Sequence, residues 1–279
     1  MNKKITFFLL LLLGVSGNTS TFFAVAQSMA NELYKVAGTD SLEMEIYYPE
    51  KTVDAQPAIV FFFGGGWNGG NIHQFKPHAE HFAKKGLVTV LADYRVRSRH
   101  QTSPFDALED AKSAIRYLKI HAERLKIDSS RIIASGGSAG GHLAAATAFI
   151  SGFNSPEDPT ISPKPAALLL FNPVIDNGPG GYGYERIGSR YHAFSPLHNL
   201  AKGAPPTLFF LGTQDRLIPV ITAEYYAMVM EKVGSYCQLI LYEGEEHGFF
   251  NYRNREIYEK TLKETEDFLI AQGFLPAGR

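Results

Sequence analysis

A chain of 279 residues with 45% hydrophobic side chains can bury one sizeable core, so one or two domains are expected. Lys and Arg number 27 against 28 Asp and Glu, and no long run of either sign occurs, which argues against nucleic acid as a partner. The single cysteine, Cys237, excludes an internal disulfide, and no CxxC, HExxH or convincing metal cluster is present.

In chain order, the first element is a leader. MNKKITFFLLLLLGVS sets Lys3 and Lys4 before an apolar run at 5–13, too short to cross a bilayer comfortably but suited to a signal-peptide core. Ala24, Val25 and Ala26 form an A-x-A cleavage site that would leave Gln27 first. A cut near Gly17 and a retained anchor are the alternatives. Residues 1–26 are therefore expected to be a bacterial-type signal peptide and 27–279 the mature domain. Such a chain would be periplasmic or secreted, with no stable membrane insertion after cleavage. Cys237 lies too far from the cleavage site to anchor a lipid.

Leu42, Met44, Ile46 and Tyr48 alternate with polar residues, as in a half-buried strand. The stretches 58–63, 87–92, 131–135, 166–171, 207–212 and 238–243 are short, continuous apolar runs, the pattern of strands buried on both faces. Helical stretches fall between them, at about 74–85, 103–125, 139–150, 221–233 and 256–271. In the second, Ala107, Ala111, Ile115, Leu118 and His121 share a face, and Ser103-Pro104 marks the start. No repeat or flexible linker divides the chain. The alternation predicts an α/β fold, a mostly parallel, doubly wound sheet with helices on both faces in one domain.

Gly136-Gly137-Ser138-Ala139-Gly140 satisfies G-x-S-x-G between an expected strand and an expected helix. A nucleophile on such a turn takes strained angles, and neighbours without side chains let strand and helix approach. A serine hydroxyl needs a base, and the base needs an orienting carboxylate. Asp215 in LGTQDRLIP and His247 in EGEEHGFFN follow two later strands, where loops at the carboxyl edge of a parallel sheet converge. Asp176 is the rival acid, and His142, on the outgoing helix, reads as packing. A second glycine cluster in FFFGGGWNGG follows the 58–63 strand, so Gly65 and Gly66, with Ala139, are expected to supply oxyanion N–H donors.

These elements, GGGW, ADYR at 92–95, GGSAGG, GTQDRLIP and YEGEEHGFF, resemble in order those of α/β-hydrolase carboxylesterases, the group of hormone-sensitive-lipase-like enzymes and small acetyl or feruloyl esterases. The resemblance implies a serine esterase without a cofactor, in which Ser138 attacks, His247 serves as base and then acid, and Asp215 holds the imidazole. Many relatives read H-G-G-G at the first loop. Here Phe63 stands at the histidine position, which leaves the Trp67 N–H as a rival donor. Prolyl-oligopeptidase-type peptidases usually carry a large aromatic where this chain has Ala139, and there is no room for their propeller.

The segment 177–199 is the largest insertion, a small cap loop at most, and carries Tyr182 and Tyr184. With Trp67 and Asn68 these are the expected substrate-binding residues, suited to a sugar or phenolic ester. The expected substrate is a short-chain acyl ester, such as acetylated xylan. A feruloyl-type esterase, an amide or formamide hydrolase, and a non-catalytic binding module of the same fold are the alternatives.

Overall fold

Strands apolar on both faces need helices above and below them, and the chain supplies both layers. The computed structural model describes residues 28–50 and 54–277; the expected signal peptide lies outside them. Strands β1 (Met29–Ala37), β2 (Asp40–Tyr47), β3 (Gln56–Phe62), β4 (Val88–Ala92), β5 (Ile127–Gly137), β6 (Ala167–Phe171), β7 (Thr207–Gly212) and β8 (Cys237–Tyr242) form one sheet. Their spatial order is β1-β2-β4-β3-β5-β6-β7-β8, and every pair is parallel except β1/β2 and β2/β4.

The helices are α1 (Lys76–Lys84), α2 (Arg97–His100), α3 (Pro104–Ile120), α4 (Ala139–Phe149), α5 (Tyr184–Ile187), α6 (Tyr191–Phe194), α7 (Val220–Lys232) and α8 (Arg255–Ala271). Successive residues of one strand serve opposite layers. Val60 joins Ile115, Leu143 and Tyr226 of α3, α4 and α7, whereas Ile59 and Phe61 join Phe82 and Leu262 of α1 and α8.

Two local features depart from the sequence reading. Strand β1 has no clean alternation because its pairing with β2 shifts register between Leu33 and Lys35, and Met29, Leu33 and Val36 are left about half exposed. Helix α3 stops at Ile120, with His121 as its C-cap rather than part of its apolar face, and β5 begins at Ile127. Its start follows the expectation: Ser103 and Asp106 form a reciprocal capping box.

Two ion pairs tie the carboxyl edge of the sheet to α3. Arg95, just after β4, grips the fully buried Asp110 through Nε and Nη2 at 2.8 and 2.9 Å, and Lys35 Nζ approaches the same carboxylate at 2.8 Å. A bidentate guanidinium supplies the hydrogen bonds without which a buried carboxylate would be costly.

His78 of α1 is buried among the rings of Phe61, Phe75, Phe171, Phe250 and Tyr258, and neither ring nitrogen has a partner among the described residues. Burial pushes its pKa down to about 3, and the same cause brings His142 to about 3. Both unfolded imidazoles titrate near the ordinary 6.5, so between about pH 6.5 and 3 the unfolded chain binds protons that the folded one refuses. Stability is therefore expected to fall as pH drops through that window. A His78→Leu variant should lose less of its urea midpoint between pH 7 and pH 4 than the parent does. Equal losses would mean that His78 is not buried as a neutral ring.

Candidate active site

Ser138 stands between β5 and α4 with φ 53° and ψ −119°, a conformation that costs a residue with a side chain about 1–3 kcal/mol. The surroundings hold it there. Its N–H donates to the Phe171 carbonyl of β6 (3.0 Å), and its own carbonyl accepts from His142 and Val174. The glycines follow from contact distance: a β-carbon on Gly140 would overlap the Phe62 carbonyl, and one on Gly137 would overlap the Phe250 ring. Strand β3, the elbow and the 249–250 segment can meet only if those positions are bare.

The loops after β7 and β8 bring the acid and the imidazole. They are tied together by Gln214 N–H donating to the Glu245 carbonyl (3.0 Å) and Gly244 N–H to Thr213 Oγ1 (2.9 Å). Asp215, its side chain fully buried, accepts the N–H groups of Leu217 and Ile218 at Oδ1, at 2.8 and 3.0 Å. Its Oδ2 lies 2.7 Å from His247 Nδ1, and His247 Nε2 lies 2.9 Å from Ser138 Oγ. A carboxylate can only accept, so Nδ1 carries the ring proton and leaves Nε2 free to take the serine proton. Ser138, His247 and Asp215 are thus brought together in hydrogen-bonding order.

The first glycine loop faces this chain of groups. Together with Ser138, His247, Tyr182 and Leu217 it borders a cleft of about 320 Å³. No acceptor among the described residues takes the N–H of Gly65, Gly66 or Ala139, while the Gly65 carbonyl accepts from Asn68 and Gly69 inside the loop. Unpaired N–H groups beside a serine hydroxyl can stabilise a developing oxyanion. Phe63 contributes no polar group from its side chain; its ring stacks on Tyr94 at 4.1 Å, and Tyr94 Oη donates to the Phe63 carbonyl (2.6 Å).

Of the four expected substrate-binding residues, Tyr182 alone borders the cleft. Trp67, in left-handed backbone (φ 56°), is buried, its indole packed against His142, Phe194 and the Arg186 guanidinium. Asn68 is exposed outside the cleft, its carbonyl holding Ser98 N–H (2.8 Å), and Tyr184 sits edge-on to Tyr191 instead. The expected loop 177–199 contains α5, α6 and short 3₁₀ turns, anchored by buried Ile187 and Phe194. His142 lies buried with Nε2 2.9 Å from the Phe194 carbonyl, and Asp176 turns to Gly178 N–H, so neither serves the serine.

Several side chains at the cleft escaped the sequence reading. Asn172, at the end of β6 with φ 36°, accepts Gly248 N–H at Oδ1 and places Nδ2 3.4 Å from His247 Nε2. Gln74 and Asn251 also border the cleft. Only Asn172 carried a signal, its place directly after an apolar strand at the carboxyl edge.

Residues 44–177 match the family described as BD-FAE, and 179–271 match the prolyl oligopeptidase family. Esterase 2 of Thermogutta terrifontis, phosphoramylated by tabun, has a TM-score of 0.86 and 43% identity, covering 90% of this chain and 97% of that one. The same esterase with propionate bound has a TM-score of 0.84 and 42% identity, covering 90% and 96%. An acetylxylan esterase of Xylanibacter ruminicola is 24% identical over 266 residues, 89% of this chain and 51% of that protein. The chain spans from about a third to about half the length of the curated relatives it matches.

The close approach at Gly137 is open to test. Gly137→Ala should lower the melting temperature by several degrees, since overpacking a core costs about 1–3 kcal/mol. Adding Phe250→Leu should return part of the loss. A Gly137→Ala protein as stable as the parent would show that the elbow tolerates a β-carbon.

Proposed function

The chain belongs to the α/β-hydrolase carboxylesterases, and from that premise we propose that it is an exported serine esterase acting on short acyl esters, with acetylated carbohydrate as the substrate class. The observation that carries this reading is the continuous hydrogen-bonded chain Ser138–His247–Asp215 at the edge of a cleft with unpaired N–H groups.

In this reading Ser138 Oγ attacks the acyl carbonyl carbon as its proton passes to His247 Nε2. The carbonyl electron pair moves onto oxygen, and N–H groups of Gly65, Gly66 and Ala139 receive that oxyanion. Asp215 keeps the tautomer and steadies the imidazolium. When the intermediate collapses, the C–O bond to the alcohol breaks and His247 protonates the leaving oxygen. Water then attacks the acyl-Ser138 ester with His247 as base, and collapse returns the proton to Ser138 and releases the acid.

Size and lining support the substrate class. A cleft of about 320 Å³, walled by Tyr182 and Leu217, suits a small acyl group, and esterase 2 was captured with propionate and with butyrate. Asn172 and Arg253 at the cleft give a polyhydroxylated alcohol partners for hydrogen bonds. The acetylxylan esterase relative points the same way. Export rests on the composition of residues 1–26.

With p-nitrophenyl acetate, butyrate and octanoate, the acetate should turn over fastest, and Ser138→Ala should abolish turnover. Asp215→Asn should lower kcat by about 10⁴ while leaving the fold intact. Acetate release from acetylated xylan identifies the carbohydrate arm, and faster hydrolysis of the matching anilide would favour the amide reading instead. Turnover that survives in Ser138→Ala would sink the assignment of the nucleophile. Tyr182→Ala should raise butyrate and octanoate turnover relative to acetate; an unchanged ratio would remove Tyr182 as the wall that limits the acyl group. Terminal sequencing of the protein from the extracellular or periplasmic fraction should begin at Gln27, and an intact Met1 there would refute cleavage.

A further inference from the structure

Two side-chain amides outside the Ser138–His247–Asp215 chain link its surroundings. Gln74, in the 3₁₀ turn Ile72–Phe75 ahead of α1, accepts Gly64 N–H at Oε1 (2.6 Å) and donates from Nε2 to Asn251 Oδ1 (3.0 Å). Asn251 donates from Nδ2 to the Gly248 carbonyl (2.7 Å). Gly248 in turn donates its N–H to Asn172 Oδ1 (2.9 Å), and Asn172 Nδ2 reaches His247 Nε2 at 3.4 Å. Gln74 and Asn251 each accept at the amide oxygen and donate from the amide nitrogen, so the run keeps one polarity from the Gly64 N–H to the Gly248 carbonyl. Neighbouring bonds in such a run polarise one another.

The end of this run matters because Gly64 lies against the elbow. A β-carbon there would stand 3.1 Å from the Gly137 carbonyl oxygen and 3.4 Å from Ser138 Cβ. The position of Gly64 therefore sets how the next two N–H groups stand relative to Ser138 Oγ. On the far side the loop is held by Arg186, whose Nη1 donates to the Gly66 carbonyl (2.5 Å). Phe63, the residue before Gly64, offers the loop no polar side chain.

We propose that Gln74 and Asn251 are positioning residues that fix the spacing between the N–H donors of the glycine loop and the His247–Ser138 pair. The inference rests on the esterase reading of the same site. It places the effect of the bridge on the transition state: a donor displaced by about 1 Å costs about a hundredfold in rate, whereas the ground-state ester makes little demand on it.

The test uses Gln74→Met, which keeps length and volume but loses both hydrogen bonds, Asn251→Ala, and the double variant. The measurements are kcat and KM with p-nitrophenyl acetate, melting temperature, and affinity for a trifluoromethyl ketone that mimics the tetrahedral intermediate. Each single variant should lower kcat by about 10- to 100-fold with KM within about twofold, and weaken the ketone by a similar factor. Melting should move little, and the double variant should be no worse than the worse single. Gln74→Glu keeps the acceptor for Gly64 and loses the donor for Asn251, and it gives the same reading should the methionine variant not fold. An unchanged kcat overturns the proposal, as do losses that multiply in the double variant or that follow only the folded fraction. Failure of the esterase reading is seen separately, as turnover that survives in Ser138→Ala.

Discussion

The structure depends on one close approach. The end of β3 meets the first turn of α4 closely enough that the Phe62 carbonyl occupies the space of a β-carbon on Gly140, while the Phe250 ring does the same at Gly137. That contact keeps Gly137 and Gly140 bare on either side of the turn at Ser138 and leaves the serine as the side chain that projects. The strain at Ser138 persists because its N–H is bound to β6 and its carbonyl to two donors, so relaxing one torsion would break several bonds at once.

The rest of the site is built from the same sheet edge. Parallel strands end together, so the loops after β3, β5, β6, β7 and β8 all open on one side, and each supplies one part: the glycine loop, the serine, Asn172, Asp215 and His247. Electrostatics then sorts the histidines. His142 and His78 are sealed in apolar surroundings that hold them neutral, while His247 keeps part of its side chain exposed and a buried carboxylate behind it. A base must be able to carry charge, and of these three His247 alone is placed beside a partner that supports it.

The glycine loop is held by polar side chains on either side of it. Phe63 has no polar side-chain group, and the polar tether of the loop comes from Gln74 on one side and Arg186 on the other. The phenyl ring takes up packing instead, against Tyr94, whose hydroxyl secures the Phe63 carbonyl. Tyr94 belongs to the ADYR motif, and its neighbour Arg95 closes on Asp110, so that motif braces the loop and α3 together.

By itself, the sequence determined the sheet-and-helix alternation and the order of the chemical groups, because both are written in local patterns. Continuous apolar runs mark buried strands, and glycines around Ser138 mark a turn no other residues allow. Asp215 and His247 were legible for the same reason: each directly follows such a run, where a parallel sheet opens its loops. Strand β1 was not, since its bulge erases the alternation, and neither were Gln74 and Asn251, two polar residues in ordinary loops. Tertiary structure also decided which aromatic residues meet the cleft. Trp67 and Tyr182 look alike in sequence as pocket candidates, yet a left-handed torsion buries the indole while the cap segment lays Tyr182 over the glycine loop. The direction of a loop side chain depends on torsions and distant packing, which carry no periodic signal along the chain.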